Sequence, residues 1–258
     1  MLMLPVDFRL WLMRLVVACF FSMGFIAFYH HSWKSAITSN AARRTKIIYR
    51  LAILALTIFI GIYLHETAMN ITTSSGSLTY HNWALFVLII PFFYTEMVFI
   101  EYISLTVAIL WIWYQHHMAN FLQPEIILAA IVFLFIIYII HRHSKAIIQN
   151  WFFSCLTALM VPVIFWASAP HHAMGITMSP SILLQAVSTY FIMGFLALRY
   201  FRKETNEDLE SEELEHLAHY DTLTNAKTYT LYQNEITELF NSARNNHEPL
   251  TLVALDID

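Results

Sequence analysis

Histidine is the residue type best equipped to do chemistry in this chain. Thirteen occur. His65, His81, His116, His117, His171 and His172 stand at the edges of long apolar runs, with Glu66 directly after His65. Imidazole nitrogens with a carboxylate suit Zn, Cu or Fe, haem iron included, and imidazole titrates near neutral pH. A sensory metal, a haem or a proton switch are the chemistries these side chains could support. The plainer alternative is a set of interfacial histidines that reach water or bond locally. No HExxH or similarly tight spacing marks a metalloenzyme. Cys19 and Cys155 form no CxxC and read as buried thiols.

Carboxylates supply two further candidates. Glu96 and Glu101 lie near the middle of an apolar run, where they either line a transport path or mark a turn at the headgroups. Asp256 and Asp258 follow the run LTLVAL at residues 250–255. A carboxylate at the C-terminal end of a strand is well placed for Mg²⁺ carrying a nucleotide phosphate, although acidic pairs are common at strand ends for other reasons.

The elements that must position these groups are mostly apolar. Hydrophobic residues make up 58% of the 258 residues and charged residues 12%. Long apolar runs fall near 10–30, 47–67, 83–115, 124–141, 151–168 and 181–200. A helix needs about 20 such residues to cross a bilayer, and somewhat fewer can suffice. Backbone satisfaction in lipid and the lack of strand-like alternation make the spans helical. The expected class is a polytopic α-helical membrane domain over residues 1–200. Nothing resembles a cleaved leader, because the first apolar run is long and others follow it.

The run 83–115 is long for one span, since its 33 residues would reach roughly 50 Å as a helix. It is one overhanging helix or a tight pair of short ones, and Pro91 disfavours a single straight helix. Basic residues favour the pair. With seven spans and the N-terminus outside, Lys34, Arg43, Arg44, Lys46, Arg50, Arg142, Lys145, Arg199, Arg202 and Lys203 all face the cytoplasm, with only Arg9 and Arg14 as exceptions. Six spans leave the cluster from Lys34 to Arg50 outside. Both arrangements put the C-terminus in the cytoplasm. In the seven-span arrangement the candidate histidines gather towards the outer face, and the polar loop 68–80 lies there too. The connections are short, so a signal must be small, lipid-borne or sensed within the helices.

Thirteen of the 18 acidic residues fall at or after Glu204. The last span is expected to run on as a charged signalling helix over residues 201–220, with a thin stripe of Leu209, Leu214 and Leu217. It reads as a relay of rotation or dimer spacing, or as a plain solvated linker. Asp221 is a candidate helix cap, with Thr224 or Asn225 opening the next helix. Leu231, Tyr232, Ile236, Leu239, Phe240 and Ala243 recur at helical spacing. A turn over residues 245–249 then leads to the strand 250–255.

The segment HLAHYDTLTNAKTYTLYQNEI, with LTLVALDID after a short gap, resembles the start of a GGDEF domain, the family of diguanylate cyclases and their inactive relatives. That family opens with D-x-L-T-G-L-x-N-R-R, then a helix and a strand ending in D-I-D. Asp221, Leu223 and Thr224 match. Asn225, Ala226, Thr228, Tyr229 and Thr230 depart from the pattern, while Asp256, Ile257 and Asp258 restore it. The resemblance covers about the last 45 residues, and residues 221–258 would be the truncated start of an α/β domain. By resemblance, Asp256 and the carbonyl of Ile257 would bind Mg²⁺ or Mn²⁺. A completed domain would take GTP and, as a homodimer, join two GTP into cyclic di-GMP. The signature turn and the base-contacting residues lie beyond position 258. The chain therefore reads as the front of a longer protein or a truncated product, inactive in this form.

The leading expectation is a membrane-embedded input module in the inner membrane of a bacterium, in contact with lipids and with no nucleic-acid partner. Alternatives are a non-enzymatic membrane receptor with a degenerate GGDEF end, favoured by the departures after Thr224, or a small-solute transporter using Glu96, Glu101 and the histidines.

Overall fold

The computed structural model describes residues 6–38, 41–71, 74–94, 96–118, 120–168, 172–173, 176–177, 179–221, 224 and 226–253. Its elements are α1 (Val6–Thr38), α2 (Arg43–Asn70), α3 (Ser74–Ile89) with a 3-10 turn at Ile90–Phe93, α4 (Phe99–His117), α5 (Pro124–Arg142), α6 (Ser144–Gln149) and α7 (Trp151–Ala167). There follow a two-residue antiparallel pair, β1 (His172–Ala173) and β2 (Ile176–Thr177), then α8 (Pro180–His219) and α9 (Tyr229–Asn246). Two compact units result, residues 1–202 and 203–258.

Five helices among the described residues are long and apolar enough to cross a membrane: Phe8–Thr38, Arg43–Asn70, Gly76–Phe93, Pro124–Arg142 and Pro180–His219. Phe20, Phe59, Leu128 and Phe135 are exposed on their outer surfaces. Large apolar side chains facing outward and polar ones facing inward suit lipid as the surrounding solvent. The chain thus fits a multi-pass helical membrane protein. The segment Gly76–Phe93 differs from the other four, with 78% of its residues buried. From Trp83 to Phe93 its sequence is apolar all round, so every face there can pack against protein, and it forms the hub of the bundle.

The run 83–115 is a pair of helices. Pro91 lacks an N–H and sits in the 3-10 turn, Tyr94 is extended, and α4 restarts at Phe99 after Val98. Side-chain contacts show that successive helices alternate in direction. At one end Trp11 donates to Thr189, Asn82 donates to the Ala186 carbonyl, Trp166 donates to Asn82, and His65 meets Gln115. At the other end Trp33 packs on Tyr94, Arg50 meets Glu101, Tyr102 packs on His141, and Tyr94 packs on Phe201. The basic residues from Lys34 to Arg50, with Arg142, Lys145, Arg199 and Arg202, belong to this second end. Arg9 and Arg14 flank Trp11 at the first.

Several boundaries differ from expectation. The polar loop shrinks because α2 continues to Asn70 and α3 starts at Ser74, where intrahelical bonds satisfy the backbone and Ser77, Leu78 and His81 become buried. The short helix α6 between α5 and α7 left no sequence signal of its own, at six residues.

In the second unit, Asp221 does not start a helix. Its Oδ1 accepts from the backbone N–H and hydroxyl of Thr224, closing a turn. The Asp221 N–H donates to the Ala226 carbonyl, and Tyr220 pairs with Lys227. The next helix begins at Tyr229 with Thr228 as its N-cap residue, five positions later than a helix opening at Thr224. The expected strand is also not formed over residues 250–253, which carry no regular structure. A single strand has no partner for its backbone groups within this unit, so an α/β opening is not assembled there. Residues 254–258, with Asp256 and Ile257, lie outside the described residues.

Candidate metal-binding site

Three of the candidate histidines come together where α2, α3 and α4 meet. His65 lies near the end of α2, His81 in the first half of α3 and His116 near the end of α4. Because α3 runs opposite to its two neighbours, these positions fall at one level. One ring nitrogen from each lies within 4.8 Å of the others. The ring centroids are 5.1 Å apart for His65 and His81, 5.3 Å for His65 and His116, and 4.6 Å for His81 and His116. Their exposures are 0%, 3% and 6%, so bulk water does not solvate them. Phe165 and Trp166 of α7 present edges to His116, and Trp166 also to His81.

The hydrogen bonds define which nitrogens are free. Gln115 donates its Nε2 hydrogen to Glu66 Oε1 at 3.2 Å, and a carboxylate only accepts. The Gln115 amide is therefore oriented with Oε1 towards His65 Nε2, at 3.0 Å. That oxygen also only accepts, so His65 carries its proton on Nε2 and leaves Nδ1 as a lone pair. His81 Nδ1, at 3.2 Å, donates to it in the neutral state. His81 Nε2 and His116 Nε2 are buried and have no hydrogen-bond partner among the described residues. A buried polar group left this way costs about 1–3 kcal/mol. Three imidazoles whose ring nitrogens converge, one of them oriented by an outer relay of Gln115 and Glu66, form a donor set that could hold a cation.

The other candidates separate from this cluster. His117 is buried, but its two ring nitrogens face the carbonyls of Trp113 and Ser168, each at 2.8 Å. Glu66 is exposed and reaches the cluster only through Gln115. His171 lies outside the described residues, and for His172 only its backbone place in β1 is described. Gln115 was missed by sequence reasoning. Its signal was faint: a polar residue directly before His116, as Glu66 stands directly after His65.

Glu101 also does not open into a path. It bonds Arg50 through both carboxylate oxygens, at 2.9 and 2.7 Å, and accepts from the Val98 N–H at 2.8 Å. Arg50 adds a bond to the Glu96 carbonyl at 2.7 Å and lies 4.8 Å from the Trp33 ring centre. These residues fasten the α3–α4 turn to α2. Compared with family models, with curated proteins and with solved structures, the chain finds no match in any of the three.

Proposed function

We propose that this chain is the membrane-embedded input module of a signalling protein, with its C-terminal segment as the front of a GGDEF domain that makes cyclic di-GMP from two GTP. The observation that best supports the reading is α8. It is continuous over its 40 residues from Pro180 to His219, from an apolar half to one rich in Glu and Asp. An unbroken helix resists bending, so a change in packing near its first half can be felt at its last turn. The turn at Asp221 and Thr224 follows at once, and these two residues also carry the family likeness. Helix α9 buries none of its residues. Its apolar positions Tyr232, Leu239 and Phe240 are therefore open to further structure.

In this reading the second end of the bundle, rich in Lys and Arg, faces the cytoplasm of a bacterial cell. Asp256 and the Ile257 carbonyl would hold Mg²⁺ or Mn²⁺, as hard oxygen donors suit hard cations, and a homodimer would bring two GTP together. The departures at Thr228 and Tyr229 favour a second reading, a receptor whose degenerate domain regulates by contact. Thr228 stands at the N-cap position of α9 with its hydroxyl donating to the Ala218 carbonyl, and Tyr229 is 72% exposed. The transport reading is weakened by the closure of Glu101 on Arg50.

The test is the full reading frame that contains these residues, expressed in membranes and assayed for cyclic di-GMP with GTP and Mg²⁺. Product is expected from the extended chain, none from its Asp256→Ala form, and none from residues 1–258 alone. Full product from the D256A form would overturn the proposed catalytic role. An extended chain that binds GTP without turning it over would support the receptor.

A further inference from the structure

We infer that His65, His81 and His116 form an intramembrane site for one divalent ion of the zinc type, with three imidazole ligands and a fourth position open to a small donor. The proposal rests on the bundle alone and is independent of what the C-terminal segment does.

Geometry comes first. Two imidazoles on one tetrahedral Zn²⁺, each about 2.0–2.1 Å from the metal, have nitrogens about 3.3–3.4 Å apart, and His65 Nδ1 and His81 Nδ1 are already 3.2 Å apart. His116 faces both rings and brings a buried nitrogen with no partner among the described residues. One nitrogen from each ring falls inside a sphere that small rotations would close onto an ion. The single N–H···N bond of the ion-free cluster would give way to three nitrogen–metal bonds, with the His81 proton moving from Nδ1 to Nε2 so that Nδ1 can ligate.

Ligand type selects the ion. Among the described residues no cysteine or carboxylate joins the set, which disfavours a hard site for Mg²⁺ or Ca²⁺ and a thiolate site for Cu⁺. Neutral imidazoles suit Zn²⁺, Co²⁺, Ni²⁺ and Cu²⁺. The tight ring contacts, with Phe165 and Trp166 closing over His116, leave a gap for a bare ion rather than for a porphyrin. The Glu66–Gln115–His65 chain has the form of an outer relay on a ligating histidine. It fixes the tautomer that presents Nδ1 to the ion and raises that nitrogen's basicity. Because the three ligands come from three helices, an occupied site would cross-link α2, α3 and α4 at one level. Binding or loss of the ion would then repack the hub of the bundle.

The whole chain can be tested in detergent, purified by a tag free of histidine. It is offered Zn²⁺, or Co²⁺ as an absorbing substitute, and desalted before metal is measured. One ion per chain is expected, with the intense visible bands of four-coordinate Co²⁺ and a spectral change on adding azide to the open position. His116→Ala should lose the ion, His117→Ala should keep it, and Gln115→Leu should weaken affinity by about 10–100-fold. A folded wild-type chain that retains neither Zn²⁺ nor Co²⁺ overturns the proposal, as does loss of metal from H117A equal to that from H116A. If H116A fails to fold, the wild-type cobalt spectrum decides: octahedral bands, or none, also overturn it.

Discussion

Removal of either partner of the Arg50–Glu101 pair should destabilise the bundle, and by unequal amounts. The Glu101 side chain is 3% exposed and that of Arg50 19%. Breaking a buried pair by deleting one member costs about 3–5 kcal/mol, chiefly because the other charge is left unpaired. In Glu101→Ala, Arg50 keeps the Glu96 carbonyl and the Trp33 face and has some access to water, which puts the loss near the lower figure. In Arg50→Ala, Glu101 keeps only the Val98 N–H and has almost no access to water, which puts the loss near the upper figure. A change of 1 kcal/mol moves Tm by about 2–4 °C for a unit of this size. The expected falls are therefore about 6–12 °C for E101A and about 10–20 °C for R50A. The double variant Arg50→Met with Glu101→Leu should recover most of the loss, because apolar side chains of similar volume need no partner. Thermal unfolding of the purified chains in one detergent, followed by tryptophan fluorescence, measures all three. A fall under 2 °C for R50A, or a double variant as unstable as R50A, would refute the reasoning.

Three further outcomes follow from particular positions. With Cys19 and Cys155 replaced by alanine, a cysteine at Ser35 should be shielded from an impermeant maleimide in intact cells, while one at Leu122 should react; the reverse pattern would invert the proposed orientation. At Gly61 an added Cβ would lie 2.7 Å from the side chain of Leu88, which is fully buried between α2 and α3. Gly61→Val should cost about 1–3 kcal/mol by overpacking, read as a lower Tm, while Gly24→Ala, with open space around it, should leave Tm within error. His247 closes α9 with φ 55°, a left-handed conformation that glycine adopts without strain. His247→Gly should therefore raise the stability of the second unit by up to about 1 kcal/mol, and a loss in hydrogen-exchange protection across α9 would contradict that.

The membrane class was legible because hydropathy depends only on local composition. The break in the run 83–115 was legible only as one of two options, since Pro91 and the two glutamates said where a turn could go but not that the chain would take it. Among the histidines, sequence reasoning named seven site candidates including Glu66, and the structure selects three. The seven-span arrangement already put positions 65, 81 and 116 towards one face; what it lacked was the rotation of each helix, which decides which rings turn towards one another. His117 shows the limit most sharply. It adjoins His116, yet one residue of helix rotates its ring towards the Trp113 and Ser168 carbonyls and away from the cluster. The strand expected from residue 250 is not formed over residues 250–253 for a different reason. Its pattern was correct for a strand, but a strand is made by its neighbours.

The placement of the polar groups argues for a sensing role over a purely structural one. Glu101 and Arg50 satisfy each other, and Asn82 both donates to the Ala186 carbonyl and accepts from Trp166. Such networks fix a bundle in one arrangement. The histidine cluster is built otherwise. Two of its nitrogens have no partner among the described residues, as is also true of Ser77 Oγ, Trp83 Nε1 and Trp113 Nε1, but only the two histidines face each other and a third imidazole. A bundle selected only for stability would replace His81 and His116 by leucine or phenylalanine, which pack without that cost. Keeping both where α3 meets its two neighbours makes the packing of the most buried helix depend on what those nitrogens bind. A structural role alone predicts that His81→Leu with His116→Phe raises Tm and leaves the output unchanged. A sensing role predicts a raised Tm together with an output that no longer responds to the ion.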